Sequence, residues 1–406
     1  MKYSIAQWNT ATKPAFYNSA FEPTLFNEWL SDINKVKQYA LSSPFKTWLL
    51  SHPNTYYFSV AWLGLLAAGK AVLLPQNAQE QTLIDLKNNY DASMLEDQLA
   101  AILITQENTS STNDYSNNNR SDELLVDPEA QSIFFTSGSS GEPKKIVKTF
   151  SQLMIEAQQI NQIWFNDTKS STFISSVSHQ HLYGLLFKLL CPLSSGHSIY
   201  TPPIEYPETL EAVVESKPFN HIILVSSPAL LQRLQSHDIN TLEQQKEKIS
   251  HIISSGGPLL FSVVSNIKEK LFKAPIEIFG STETGGIAYR QRQDEQTPWH
   301  LFNGISARSN QEHRLSIKSP YITATNQPSR WYQCDDRVEI IDEFSFHLLN
   351  RADRIVKVEE KRVSLDEIEQ YLKGHRYVTA TRALVITKKR TQLACLVELN
   401  NRGQKA

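Results

Sequence analysis

The sequence alternates short apolar runs, many of them rich in β-branched residues, with longer amphipathic stretches. The runs are SIFFT (132–136), STFISSV (171–177), HSIYTPP (197–203), HIILVSS (221–227), HIISSGG (251–257) and IEIFG (276–280). Helical patterns such as SQLMIEAQQINQIWF (151–165) and SPALLQRLQSH (227–237) lie between them. This repetition is typical of α/β proteins with mainly parallel sheets flanked by helices, in which ligands gather at the carboxyl ends of the strands. We therefore expect an α/β fold with its site at that edge.

The pattern changes from about residue 300 onward to short strands, HRLSIKS, RVEIID and FSFHLLN. The following RADRIVKVEEKRVSLDEIEQYL predicts a turn, a strand and a helix capped near Ser364. We expect an N-terminal domain over 1–350 that includes a small β-rich subdomain. A small, apparently truncated α+β C-terminal domain would follow over 351–406. The polar tract 106–123 has almost nothing to bury and is expected to be a mobile surface loop.

Composition restricts the partners and the compartment. A formal net charge of −2 over 406 residues gives no global case for nucleic acid. The cysteines Cys191, Cys334 and Cys395 lie far apart, which suits a reducing cytoplasm. The N-terminus has no signal-peptide h-region. The most apolar run (58–75) is interrupted by Gly69 and Lys70 and so falls short of the roughly 20 residues that span a bilayer. It predicts a buried helix, a turn and the strand AVLLP, and no membrane partner.

The stretch FFTSGSSGEPKK (134–145) concentrates hydroxyls, glycines and lysines directly after a predicted strand. A flexible linker does not usually follow a buried strand and end in Pro-Lys-Lys. A Walker loop requires GxxxxGK[ST], and the spacing of Gly138 and Gly141 does not meet it. The remaining interpretation is a different phosphate loop, in which backbone N–H groups and hydroxyls surround oxygens and Lys144 adds a charge.

Three later motifs accompany this loop: IFGSTETGG (278–286), WYQCDDRVEI (331–340) and NRADRIVKVEEKRVSLDEIE (350–369). In order and spacing, the four motifs resemble those of the class I adenylate-forming superfamily, from about residue 55 to about residue 370. That superfamily includes acyl- and aryl-CoA synthetases, nonribosomal adenylation domains and luciferases. Within it, the sequence is most similar to stand-alone acid ligases of fatty-acid- or aryl-polyene-type biosynthesis.

The resemblance implies a two-step reaction with ATP and Mg²⁺. A carboxylate attacks the α-phosphorus of ATP, and the thiol of CoA or of an acyl carrier protein then takes the acyl group. The implied catalytic residues are Lys144, Thr282, Glu283 and His181, with Glu283 as the Mg²⁺ ligand. The implied ATP-binding residues are Thr136, Ser137, Gly138, Ser139, Ser140, Gly141, Lys144, Gly256, Gly257, Phe279, Gly280, Thr282, Asp336 and Arg351. A hydroxybenzoate-type aromatic acid would contact His181, Tyr183, Gly184, Gly285, Gly286 and Ile287. The hinge before the C-terminal domain would be Asp353.

The sequence departs from the family's motifs at three places. Cys334-Asp335 stands where the family has Thr-Gly, which leaves Asp336 as the best match for the ribose-binding residue and makes Asp335 a competitor. Glu360 replaces a glycine in the loop that approaches the thiol. The family's late catalytic lysine has no counterpart before Ala406, so we expect a fragment or a weakened first step.

Two other classes of function stay open at this point. A non-catalytic nucleotide or acyl-adenylate-binding protein would keep the phosphate loop and lack the lysine. A P-loop kinase or ATPase would give ADP, and the failed Walker spacing disfavours it.

Overall fold

The computed structural model describes residues 2–9, 12–110, 124–137, 143–166, 169–322, 331–351, 355–358, 361–387, 390–400 and 402–403. The strands are, in chain order, β1 Tyr3–Ser4, β2 Pro14–Tyr17, β3 Pro23–Leu25, β4 Thr47–Leu50, β5 Ala71–Leu74, β6 Ala92–Met94, β7 Leu125–Val126, β8 Gln131–Ser137, β9 Pro143–Thr149, β10 Thr172–Ser175, β11 Ser198–Pro203, β12 Ile222–Ser226, β13 Ile249–Ser254, β14 Ile276–Ser281, β15 Gly285–Gln291, β16 Trp299–Leu301, β17 Ser306–Ser309, β18 Arg314–Lys318, β19 Tyr332–Ile340, β20 Ser345–Arg351, β21 Ile355–Val358, β22 Lys361–Ser364, β23 Val378–Thr387 and β24 Thr391–Leu399.

The α-helices alternate with these strands. They are α1 Phe26–Leu41, α2 Thr55–Ala67, α3 Glu80–Asp85, α4 Glu96–Ser110, α5 Phe150–Trp164, α6 Leu182–Gly184, α7 Cys191–Ser194, α8 Pro207–Glu215, α9 Pro228–Ser236, α10 Asn240–Gln244, α11 Phe261–Leu271 and α12 Leu365–Lys373. Short 3-10 helices occupy Ile5–Gln7, Lys87–Asn89 and Lys246–Lys248. A π-helical turn, Leu185–Leu190, joins α6 to α7.

Two large sheets organise the N-terminal part of the chain. One has the strand order β6-β4-β5-β8-β9, and only its β8–β9 pair is antiparallel. The other has the order β17-β18-β19-β20-β16-β15-β14-β13-β12-β10-β11-β2-β3 and is parallel from β14 through to β2. The strands β15 to β20 pair antiparallel and form the expected β-rich subdomain. The predicted fold class is confirmed.

The apolar core lies in layers between sheets and helices. The largest cluster joins α1, α2 and α5 to both large sheets, through residues such as Trp62, Phe134 and Phe173. A second cluster packs α8, α9 and α11 on the other face of the larger sheet. Helix α2 is apolar on nearly every side, as the run 58–75 predicts, and is buried between neighbours.

The polar tract 106–123 is predicted incorrectly at its start. Residues 106–110 continue α4, which runs from Glu96 to Ser110, instead of forming a loop. The prediction failed because a helix can extend through polar residues once its apolar first half, including Leu99 and Ile102, is packed. Residues 111–123 lie outside the described part of the chain.

The predicted helix is present as α12, and two short strands, β21 and β22, stand where one strand was predicted; the predicted turn at 352–354 lies outside the described residues. The Ser364 hydroxyl accepts a 3.2 Å hydrogen bond from the Glu367 amide and so caps α12, as predicted. Strands β23 and β24 pair antiparallel, and α12 packs on β23. The domain division at residue 350 stays a prediction.

Candidate active site

The carboxyl ends of the two large sheets meet at the motifs identified in the sequence. Thr136 lies near the end of β8 in one sheet, and Glu283 lies in the turn after β14 in the other. The Thr136 hydroxyl donates a 3.0 Å hydrogen bond to the Glu283 carboxylate. The phosphate-loop segment and the turn at 282–284 are thus brought together across 147 residues of sequence.

The turn at 282–284 is held by its own hydroxyl groups. The Thr284 hydroxyl accepts from the Ser281 amide at 3.0 Å and donates to the Gly285 carbonyl at 2.8 Å. Gly280 permits the close approach of β14 and β15, since a Cβ there would lie 2.2 Å from the Gly285 carbonyl oxygen. Thr282 and Glu283 are half-buried at the tip of this turn.

Lys144 lies opposite Thr136 across the β8–β9 pair and is exposed. Its ammonium is 5.8 Å from the ring centroid of Tyr332, on β19. The Lys144 ammonium, at the end of the phosphate-loop segment, therefore lies between the two sheets. Ser137 ends β8, and the predicted loop residues Gly138, Ser139, Ser140 and Gly141 lie outside the described residues.

The segment predicted to contact the acid begins a helix, as expected. His181 is the exposed N-cap residue of α6, and the half-buried Tyr183 donates a 3.0 Å hydrogen bond to the Ser226 carbonyl at the end of β12. Gly184 packs so closely that a Cβ would lie 2.0 Å from the Ser178 carbonyl oxygen. The predicted opposite wall, Gly285, Gly286 and Ile287, is buried at the start of β15. Both sets lie near the carboxyl ends of the parallel strands.

The residues predicted to contact adenosine follow β13 and end β14. Gly256 has a φ of +93°, and a Cβ there would meet nothing within 4 Å, so its backbone faces open space. Gly257 follows, with Pro228 as its neighbour. The half-buried ring of Phe279 packs at 5.5 Å from that of Trp299 and at 5.8 Å from that of Phe346, between centroids. These contacts fix the orientation of the aromatic ring.

The β19–β20 register distinguishes the two candidate aspartates. Asp336 is the partner of Arg351, whereas Asp335 is exposed and makes a 2.7 Å salt bridge with Arg314. The strand register therefore places Asp336 opposite Arg351, and the assignment of Asp336 to the ribose stays a prediction. Asp353 and Glu360 lie outside the described residues.

Two buried charges beneath this site were not predicted. Lys148 on β9 and Glu156 on α5 are 1% and 3% exposed, respectively. Burial lowers the pKa of Lys148 to about 8, against the attraction of Glu156 and Glu283. Burial likewise raises the pKa of Glu156 to about 7, against the attraction of Lys148 and the Gly286 amide. A sequence signal did exist, since Glu156 lies in the apolar stripe that Leu153, Ala157 and Ile160 form on α5.

The comparisons with known proteins agree with this arrangement of motifs. Residues 47–311 match the family described as AMP-binding enzyme. The chain belongs to this family. The match covers the Thr136–Glu283 contact and the candidate acid wall, and it confirms the resemblance to adenylate-forming enzymes.

Curated relatives include the mitochondrial acyl-coenzyme A synthetase ACSM2 of Rattus norvegicus, which is 25% identical over 63% of this chain and 49% of its own length. The 4-coumarate–CoA ligase of Cereibacter sphaeroides is 24% identical over 59% of this chain and 53% of its own. The chain thus spans about half the length of these two curated relatives.

Solved structures share the fold over a larger part of their length. The amide bond synthetase McbA from Marinactinospora thermotolerans is 16% identical with a TM-score of 0.77, covering 98% of this chain and 88% of that one. ATP-bound MatB from Rhodopseudomonas palustris is 17% identical with a TM-score of 0.71 and the same coverage. Among the residues that the structure describes, no helix combines the length and apolarity needed to cross a membrane.

Proposed function

We propose that the protein is an AMP-forming acid–thiol ligase. It would activate a carboxylic acid with ATP, release pyrophosphate and transfer the acyl group to a thiol. The observation that carries this proposal is the Thr136–Glu283 hydrogen bond, which places a phosphate-loop hydroxyl beside a carboxylate where two parallel sheets converge. Membership of the AMP-binding family and relatives named as CoA ligases support it.

The nucleotide would lie across the two sheets. Thr136, Ser137 and Lys144, with the loop residues Gly138, Ser139, Ser140 and Gly141, would hold the β- and γ-phosphates. Thr282 would contact the α-phosphate. The ribose hydroxyls would donate to Asp336, with Arg351 beside it. The adenosine would lie against Phe279 and Gly280 and the open backbone of Gly256 and Gly257.

The carboxylate of Glu283 suits Mg²⁺, which commonly takes one or two protein carboxylates and completes its shell with phosphates and water. When bound, Mg²⁺ supplies charge neutralisation on the phosphates. Within the described residues, no group of three or more His, Cys, Asp and Glu side chains could hold a metal ion. Glu283 would therefore share the ion with the nucleotide.

Positioning and charge, rather than a protein nucleophile, would drive the first step. The acid would lie between His181, Tyr183 and Gly184 on one side and Gly285, Gly286 and Ile287 on the other. That placement would direct its carboxylate at the α-phosphorus held by Thr282, so that attack and departure of pyrophosphate are in line. Asp353 would be the hinge that moves the C-terminal elements between the two steps.

The finer proposal is an aromatic acid of the hydroxybenzoate type, delivered to CoA or to an acyl carrier protein. The half-buried aromatic ring of Tyr183 suits a flat aromatic acid, because aromatic rings pack favourably against one another. The relative named 4-coumarate–CoA ligase gives further support.

Exchange of labelled pyrophosphate into ATP tests the reaction. The protein is incubated with ATP, Mg²⁺ and a panel of aryl, medium-chain and long-chain acids. Exchange that depends on an acid supports the proposal, and Glu283→Gln is expected to remove most of it. A folded protein that binds ATP and exchanges with no acid would be a nucleotide-binding protein. ADP as the product would indicate a kinase or ATPase instead.

A further inference from the structure

The buried cation Lys148 connects two segments that are distant in sequence. Its ammonium donates to the Glu283 carbonyl at 2.9 Å and to the Tyr321 carbonyl at 2.5 Å. Since Lys148 is 1% exposed, these carbonyls replace the water that an exposed lysine would have. The Lys148 side chain on β9 thus fixes the backbone of Glu283, the residue proposed to bind Mg²⁺.

Glu156 holds the other end of the same turn. Its carboxylate accepts a 2.6 Å hydrogen bond from the Gly286 amide. It also lies against Gly285, where a Cβ would be 2.6 Å from the Glu156 Oε2 atom. Gly285 has a φ of +71°, so this close contact coincides with a backbone conformation that favours glycine. The segment from Glu283 to Gly286 is therefore hydrogen-bonded at both ends, to Lys148 at Glu283 and to Glu156 at Gly286.

The strand and helix that carry these charges are consecutive. Helix α5 begins directly after β9, where the Thr149 hydroxyl accepts from the Gln152 amide and the Gln152 side chain accepts from the Thr149 amide. One turn beyond Glu156, Gln159 accepts a hydrogen bond from the Tyr321 hydroxyl. Strand β9 and helix α5, which are consecutive in residues 143–164, therefore contact both the segment from Glu283 to Gly286 and Tyr321.

Stability alone gives little reason for this arrangement. Burying two charges costs more than their attraction commonly returns, and apolar replacements of such pairs are often equally stable. What an apolar pair would lack is the donor to Glu283 and the acceptor for Gly286. The geometry of the turn is what these polar atoms specify.

We propose that Lys148 and Glu156 are positioning residues for adenylation. They fix the backbone of Glu283 and Gly286, so that the metal-binding carboxylate and the acid-binding wall keep one geometry relative to each other. This inference rests on the function proposed above. Neither side chain touches substrate; each acts through the segment it holds.

The experiment compares four variants by acid-dependent pyrophosphate exchange, ATP binding and urea unfolding. They are Lys148→Met, Glu156→Asp, the double variant Lys148→Met/Glu156→Gln, and Lys217→Met as the control. Lys217 is an exposed lysine between α8 and the amino end of β12, at the opposite edge of the sheet from the candidate site. Glu156→Asp keeps the charge and withdraws the carboxylate from Gly286 by one methylene.

The expected result separates catalysis from folding. The double variant unfolds cooperatively near the wild-type midpoint, binds ATP within about threefold of wild type and loses at least about tenfold in kcat, as removal of a preorganised interaction does. Glu156→Asp shows a smaller loss in kcat, and Lys217→Met matches wild type. If the Lys148 and Glu156 variants give less folded protein but each folded molecule keeps the wild-type kcat, the two residues are only structural.

Two outcomes overturn different statements. Wild-type protein without exchange on any acid overturns the proposed function, and this inference with it. Active wild-type protein together with full kcat in the folded double variant overturns the inference alone. If the double variant does not fold, Glu156→Asp decides in the same way, since full kcat in that variant contradicts the positioning role.

Discussion

Asp336 is the cross-strand partner of Arg351 on β19 and β20, while its neighbour Asp335 faces solvent and pairs with Arg314 at 2.7 Å. Alternation along β19 places the two carboxylates on opposite faces of the strand. Asp336 lies on the same face of β19 as the buried Cys334 and as Tyr332, whose ring centroid is 5.8 Å from the Lys144 ammonium. Asp335 lies on the opposite face. Adjacent aspartates in the sequence therefore have different surroundings.

We expect Asp336→Asn to raise the KM for ATP by about 10- to 100-fold, because hydrogen bonds to a charged group contribute about 1.5–3 kcal/mol. The matched variant Asp335→Asn removes a partly exposed salt bridge, which contributes about 0–1 kcal/mol, and should leave the KM nearly unchanged. Steady-state kinetics with saturating acid measure both. The reverse ranking would assign the ribose to Asp335.

Single substitution of Lys148 should destabilise the fold more than double substitution. Lys148→Met leaves the buried Glu156 without the nearby positive charge that stabilises its carboxylate, and it removes the donor to the Glu283 and Tyr321 carbonyls. Adding Glu156→Gln removes that carboxylate, and we expect most of the free energy of unfolding to return. Urea denaturation monitored by tryptophan fluorescence gives the values. A double variant less stable than either single variant would contradict this account of the pair.

Gly285→Ala should impair acid activation more than Gly304→Ala. Both glycines have positive φ, +71° and +78°, so both substitutions carry a similar backbone cost of about 1–2 kcal/mol. Only at Gly285 would the added Cβ meet a carboxylate, 2.6 Å away; at Gly304 the nearest atom is 3.8 Å away. The KM for the acid and kcat in the exchange assay are the measurements. Equal changes of KM and kcat in the two variants would mean that the contact between Gly285 and Glu156 does not affect acid activation.

His179 should make the fold sensitive to acid. Burial lowers its pKa to about 3, with Lys188, His52 and His181 as neighbouring positive or titratable groups, while the His52 carbonyl opposes the shift. A base with a lowered pKa contributes stability above its unfolded pKa of about 6.5, and that stability is lost as the pH falls toward the folded value.

Between pH 6.5 and 5 the loss from His179 is about 2 kcal/mol. His179→Gln should therefore show a flatter dependence of unfolding free energy on pH over this range, even if it is less stable at pH 7. Urea denaturation at half-unit pH steps tests it. Parallel curves for wild type and variant would place the acid sensitivity elsewhere.

The sequence predicts the elements of this site better than their contacts. The segment 222–226 is short, apolar and rich in β-branched residues, and this pattern predicts a strand in the interior of a sheet. The Thr136–Glu283 contact follows from motifs that the family shares. Contacts such as Lys148 to Tyr321, 173 residues apart, depend on how two sheets converge, which no local pattern records. The motif already favours Asp336 over Asp335, whereas the pairing of Asp336 with Arg351 depends on the strand register.

The π-helical turn Leu185–Leu190 has a consequence for how the acid site can vary among related chains. A π turn contains roughly one residue more than an α turn, and such turns commonly arise at functional sites. Deleting one residue there would restore α geometry and leave the helical turns on either side in nearly their present orientation. Tyr183 would keep its contact with Ser226, and Cys191 would stay in the core behind it. A gain or loss of one residue in this turn is therefore a change of length that related chains could accommodate beside the candidate acid site without repacking the protein.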